Sequence, residues 1–170
     1  MVNSIIEQSI LRKAIEVDLI KFDIVDLRDY GLGNYKQIDD TPYGGGGGMI
    51  LMAGPLFSAL DRIIDNLEVG SNTKIIYPSP QGKLWSHHHA MENTYFENLI
   101  FICGHYKDID QRVIDKYVTN EYSIGDYVVT NGEIPAMIMI DSIVRLIPGV
   151  LNNFDSVKTD SFFSSKELDA

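Results

Sequence analysis

The side chains in this sequence that can do chemistry are few, and most of them have an ordinary reading as well. Arg145 sits near the end of a run, Ile134–Ile147, whose other positions are mostly apolar. A helix apolar on nearly all sides is buried or lies in a subunit interface. A guanidinium there needs a partner, because a buried unpaired charge is costly. Asp141, four residues earlier, is one candidate; an electron-rich group on a substrate is the other. Asp160, in Lys158-Thr159-Asp160-Ser161-Phe162-Phe163, reads by itself as a solvated carboxylate. Just before the apolar run lies Ser123–Glu133, a loop with glycine at Gly125 and Gly132 and β-branched neighbours. Such a loop can offer bare backbone amides and carbonyls to a flat ligand, or be a plain strand–turn–helix junction.

Other groups promise less. His87, His88 and His89 are consecutive, so on a helix they point about 100° apart and cannot face one ion; metal pairs on helices sit at i and i+4. They read as a solvated polar turn. Cys103 is the single cysteine. It cannot form an internal disulfide, it fits a reducing cytosol, and its apolar neighbours make it a core thiol. Gly44–Gly48 lacks the Gly-Lys-Ser/Thr ending of a phosphate loop, and no Gly-x-Gly-x-x-Gly follows a strand into a helix. The glycine run is read as a lid.

The remaining composition narrows the class. The chain has 170 residues, 45% of them apolar and 22% charged, enough for one domain with a real core. No run approaches the roughly 18 apolar residues of a membrane span, and Met1–Gln8 lacks the pattern of a signal peptide. A net charge of −10 argues against coating nucleic acid by bulk electrostatics. A local basic site would have to be assembled by folding or by a second subunit.

Periodicity supplies the elements that must position these residues. Ser4 can cap a helix over Ile5–Ala14, with Glu7 at capping-box spacing. Leu19–Leu27 alternates imperfectly and reads as a strand. Arg28–Gly48 is a long loop. A helix begins near Pro55 with the stripe Leu56, Leu60, Ile63, Ile64 and Leu67. Lys74–Tyr77 is a short strand closed by Pro78-Ser79-Pro80-Gln81-Gly82. A weak helix covers Leu84–Glu92, a buried strand covers Asn98–Cys103, and Ile109–Tyr117 is helical. The apolar helix after Gly132 stops at Pro148-Gly149, and Asn152–Ala170 is polar and irregular. Alternating strands and helices predict an α/β domain with a mainly parallel sheet. Ligands of such sheets sit at the carboxyl ends of strands. The loops after Tyr77, after Cys103 and at Ser123–Glu133 all lie there, and each carries glycine.

Taken together, several blocks resemble the bacterial tRNA (guanine-N1)-methyltransferase family. They are Asp26-Leu27-Arg28-Asp29-Tyr30, the segment Ile38–Met49, Ser79-Pro80-Gln81-Gly82, Cys103-Gly104-His105-Tyr106, Ser123–Tyr127, Gly132-Glu133, Arg145–Leu151 and Asp160-Ser161-Phe162. Each is weak alone; their order and spacing over nearly the whole chain are specific. The resemblance implies a SPOUT-class methyltransferase fold, α/β with a mainly parallel sheet and a C-terminal trefoil knot over residues 1–151. It implies a cytoplasmic homodimer, S-adenosylmethionine as methyl donor, and guanosine 37 of tRNA as acceptor. It assigns Asp160 as the base that takes the N1 proton and Arg145 as the cation that stabilises charge developing toward O6. Asp160 would reach the other subunit's active site. It places Pro80, Gly104, Ile124, Gly125, Asp126, Tyr127, Val128, Val129, Asn131 and Gly132 around the donor. It also allows magnesium, for which no residue identifies a site. A non-catalytic dimeric module binding S-adenosylmethionine or RNA is the alternative.

The chain departs from the family pattern at a few places. Lys107 stands where many members have Glu, Asp108 where Gly is usual, and Asn131 where the first glycine of a pair is usual. The family also carries a strand before the first helix and a tRNA-gripping domain after a linker, so residues 152–170 are read as that linker.

Overall fold

The computed structural model describes residues 2–42, 47–105 and 108–151. Its centre is a three-stranded parallel sheet in the order β4-β3-β6, where β3 is Thr73–Leu84, β4 is Asn98–Phe101 and β6 is Asn120–Ser123. Ile75 of β3 lies opposite Ile100, and Tyr77 opposite Glu121. A smaller sheet joins β1 (Asp39–Asp40), β2 (Ile50–Leu51) and β5 (Asp108–Ile109). There β1 runs antiparallel to β2, and β2 parallel to β5. The α/β class and the mainly parallel pairing therefore agree with the sequence reading.

Side chains on β3 alternate between two cores, as strand geometry requires. Ile75 and Tyr77 face one way, packing with Leu56 and Leu60 of α3 (Ala53–Asp65) and Val113 of α5 (Gln111–Tyr117). Ile76 faces the other way, with Tyr122 and with Met139 of α6 (Glu133–Val144). On that side α4 (His87–Asn93) adds Ala90 against Ile143 and Leu146. The sheet is thus covered by helices on both faces, which is why Ile75–Tyr77 of β3 and Leu99–Phe101 of β4 read as continuous apolar runs. The far side of α6 packs Met137 and Val144 against Leu11 and Ala14 of α2 (Ser9–Glu16). Apolar contacts on two sides explain why α6 has no polar face wide enough to show amphipathic periodicity.

The structure corrects several local expectations. The first helix is two: α1 (Val2–Ile6) and α2, separated where Ser9 takes a φ of 52°. Ser4 lies inside α1 and caps nothing. The strand expected at Leu19–Leu27 is absent: residues 20–26 have no regular structure, and Leu27–Tyr30 form a 3-10 turn capped by Asp26. The imperfect alternation is the reason, since Ile24 and Val25 are exposed and Lys21 pairs with Asp23 at the surface. Strand β3 continues through the expected Pro78–Gly82 loop, with a shift in register: both Pro78 and Lys83 pair with Tyr122. Pro78 and Pro80 have no N–H to give the ladder, so the segment between bulges outward. A side chain at Gly82 would strike the backbone nitrogen of Tyr122, so only glycine brings the strand back into register. Of the glycine lid, Gly47 and Gly48 are described and exposed; Gly44–Gly46 lie outside the described residues.

Candidate functional site

A cleft opens at the carboxyl ends of the parallel strands, where the β3 bulge, the loop after β4 and the loop after β6 meet. Its free space is about 600 Å³, part of it continuous with solvent. Backbone contact brings the three loops together. The Gly132 N–H donates to the Gly104 carbonyl at 2.8 Å. A Cβ on Gly132 would lie 2.5 Å from the Gly104 nitrogen, so these two chain segments touch main chain to main chain. Gly104 in turn lies on the ring of Tyr77, whose hydroxyl would be 3.0 Å from a Cβ there.

Tyr77 is buried and its hydroxyl donates to Asp108 Oδ1 at 2.7 Å. Burial, with the Asp108 carboxylate next, pushes its phenol far above the ordinary range. The same Asp108 oxygen accepts the Ile109 N–H at 2.8 Å. In the third loop, Ser123 Oγ accepts the Gly125 N–H at 3.2 Å. Gly125 has a φ of 145°, which calls for glycine. Tyr127 and Val128 stand exposed at the mouth. The Asn131 Oδ1 atom is buried without a hydrogen-bond partner.

Of the residues placed around a donor by the sequence reading, Pro80, Gly104, Ile124, Tyr127, Val128, Val129, Asn131 and Gly132 line this cleft. Gly125 and Asp126 belong to the same loop without lining it. Tyr77, Ser79, His105, Asp108, Thr130 and Pro135 also line it and were missed. The sequence places Tyr77 at the end of a strand and marks Asp108 only as a departure from the glycine usual in the family; the fold turns them to the same space.

His105 ties the second loop to α6, its Nε2 lying 2.7 Å from Glu133 Oε1. Beside this pair, Cys103 is half-buried rather than the core thiol expected, and burial with the Glu133 charge pushes its thiol up to about 12. Above the ordinary thiol pKa the unfolded chain ionises and the folded chain does not, so this group favours folding below about pH 8.5 and loses that contribution as pH rises through 12. Alkylation by iodoacetamide at pH 8 is accordingly expected to be much slower in the folded chain than in urea. Equal rates in a thiol-labelling time course would contradict it.

The histidine triplet is not a solvated turn. It opens α4, with Ser86 Oγ accepting the His89 N–H as cap. His88 pairs with Glu92 at 3.2 Å, and the His89 ring lies against Tyr122, 4.9 Å between centroids. Burial lowers the His89 pKa. Among the described residues no three His, Cys, Asp or Glu side chains group to hold a metal ion.

Arg145 caps the C-terminal end of α6 and is exposed, as is Asp141. The buried charge expected there is therefore corrected: the apolar run is buried on two sides, and Arg145 occupies its third. Ile134, Ile138, Asp141 and Arg145 form one exposed stripe at helical spacing. Asp160 and Lys107 lie outside the described residues.

Comparison with known proteins points one way. A profile described as tRNA (Guanine-1)-methyltransferase TrmD matches residues 1–170. The chain is 49% identical over 157 residues to a tRNA (guanine-N(1)-)-methyltransferase of Lacticaseibacillus paracasei, covering 92% of this chain and 60% of that protein. It is 44% identical over 160 residues to the protein of that name from Clostridioides difficile, covering 94% and 69%. With the one from Alkaliphilus metalliredigens it shares 46% identity over 162 residues, covering 95% and 66%. The chain thus spans 60% to 69% of the length of these relatives. With every residue inside the profile and relatives near half identity, the chain belongs to the tRNA (guanine-1)-methyltransferase family.

Proposed function

We propose that this chain transfers a methyl group from S-adenosylmethionine to N1 of guanosine 37 in tRNA, as a homodimer with a trefoil-knotted donor site. One observation carries the donor site: the main-chain contact between Gly132 and Gly104, which joins the loops after β4 and β6 beside the β3 bulge around one cleft. The lining suits an adenosyl sulfonium. Its walls combine proline, glycine, valine, isoleucine and tyrosine with the polar side chains of Ser79, Ser123, Thr130 and Asn131, offer main-chain groups for a base edge, and include no described lysine or arginine of the kind a phosphate needs. When bound, the donor supplies an electrophilic methyl carbon. The protein's own work is on the acceptor. Guanine N1 is a poor nucleophile until its proton leaves; the Asp160 carboxylate takes that proton. Charge then moves toward O6, and the Arg145 guanidinium stabilises it. The exposed position of Arg145 suits a group that must meet a large RNA.

The exposed stripe of α6 supports the dimer. Ile134 and Ile138 flank the approach to Arg145, and a partner covering them would bring its own Asp160 segment to this cleft. Ile138→Glu is expected to weaken self-association by at least about ten-fold, read by sedimentation velocity over a dilution series, with methyl transfer falling in parallel. Unchanged association would remove α6 from the interface. No described helix is long and apolar enough to cross a membrane, and the reaction places the protein in the cytoplasm with its tRNA. Magnesium, if the reaction uses it, has no cluster of protein ligands among the described residues.

The test is calorimetric titration with S-adenosylmethionine, followed by transfer of labelled methyl to tRNA transcripts carrying guanosine or adenosine at position 37. Binding with transfer only to the guanosine transcript is the expected result. A folded chain that binds no donor would overturn the assignment. Binding without transfer would leave a non-catalytic dimeric module.

A further inference from the structure

The charge of the cleft is uneven in a way that sorts ligands. Among its described lining residues Asp108 is the single carboxylate, His105 is held by Glu133, and there is no lysine or arginine. Both hydrogen bonds that Asp108 accepts, from the Tyr77 hydroxyl at 2.7 Å and the Ile109 N–H at 2.8 Å, fall on Oδ1. They hold the carboxylate in place and leave Oδ2 without a donor among the described residues. Tyr77 is buried against Gly104, so the carboxylate is fixed from the protein side rather than swinging in solvent. A negative charge held in place on the wall of the cleft attracts a cation and gives a neutral ligand no such gain.

We propose that Asp108 is a specificity-determining residue that makes the cleft prefer a sulfonium ligand to the corresponding neutral thioether. The proposal rests on the reading of the cleft as the methyl-donor site. The two ligands differ by one positive charge and one methyl group. As the methyl carbon bonds to guanine N1, the C–S electron pair stays on sulfur, and the N1 proton goes to the carboxylate base. The sulfonium thereby becomes a neutral thioether. The attraction to Asp108 ends with that step, so the same residue that helps load the donor lets the product go.

The test measures binding of S-adenosylmethionine and S-adenosylhomocysteine to the whole chain and to Asp108→Asn by calorimetry. Asparagine keeps an oxygen for Tyr77 and Ile109 while removing the charge. The variant is expected to bind S-adenosylmethionine roughly five-fold more weakly, with S-adenosylhomocysteine changed less than about two-fold. Asp108→Ser, a second neutral variant, should show the same loss of preference should asparagine disturb the fold. Parallel loss of both ligands would make Asp108 merely structural and overturn the proposal, as would an unchanged preference. A folded wild-type chain that binds neither ligand would overturn the reading of the cleft, and the proposal with it; binding of both without discrimination would overturn the charge argument alone.

Discussion

Asp160→Ala is expected to slow methyl transfer to guanosine N1 by about 10²–10⁴-fold while changing donor binding little. The size follows from the base role proposed for the carboxylate. N1 of guanine holds its proton at neutral pH, and its lone pair becomes available for the methyl carbon only as that proton departs. Without a positioned base the proton must go to water, whose basicity is far lower. Donor binding should change little, because the described lining of the cleft comes from the loops around Gly104, Ser123–Asn131 and Gly132. Single-turnover transfer measured beside calorimetric donor affinity separates the two effects. Transfer within three-fold of wild type would remove Asp160 from the base role. Equal loss in donor affinity would make it part of the binding wall instead.

The second large effect is on the fold of the site. Gly132→Ala is expected to destabilise the chain by about 3 kcal/mol and to abolish donor binding. The new methyl group would lie 2.5 Å from the Gly104 nitrogen and 3.0 Å from both the carbonyl carbon and the Cα of Cys103. These are main-chain atoms and cannot rotate away. The two segments must separate, which breaks the Gly132–Gly104 hydrogen bond of 2.8 Å and opens the cleft at its closure. Gly54→Ala is the control: a Cβ there meets nothing within 4 Å and falls inside α3. It is expected to be neutral or stabilising by about 0.5 kcal/mol. Urea midpoints of the two variants check the contrast, and similar midpoints would refute the close-approach argument.

The strength of the sequence reading followed the strength of the local signal. Helix α3 was legible because its apolar residues recur on one face and Pro55 suits a first turn. The core of β3 was legible because Ile75–Tyr77 are buried on both faces. Residues 20–26 misled because two apolar residues beside each other, Ile24 and Val25, resemble a strand whether or not a neighbour pairs with them. The bulge in β3 was missed because Pro78 and Pro80 mark an ending locally. The strand resumes only because Gly82 lets Tyr122 approach, and Tyr122 is forty residues away.

The sequence by itself determined most of the alternation of strands and helices, the glycine-bearing loops after β4 and β6, and the family to which the blocks belong. These depend on residue type and spacing along the chain, which are local properties. Tertiary structure alone decided that Gly104 and Gly132 touch, that Tyr77 and Asp108 face one cleft, and that Arg145 is exposed rather than buried. Each is a contact, or the lack of one, between segments distant in sequence. Such contacts are set by which faces the sheet and its covering helices bury, and no spacing along the chain records them.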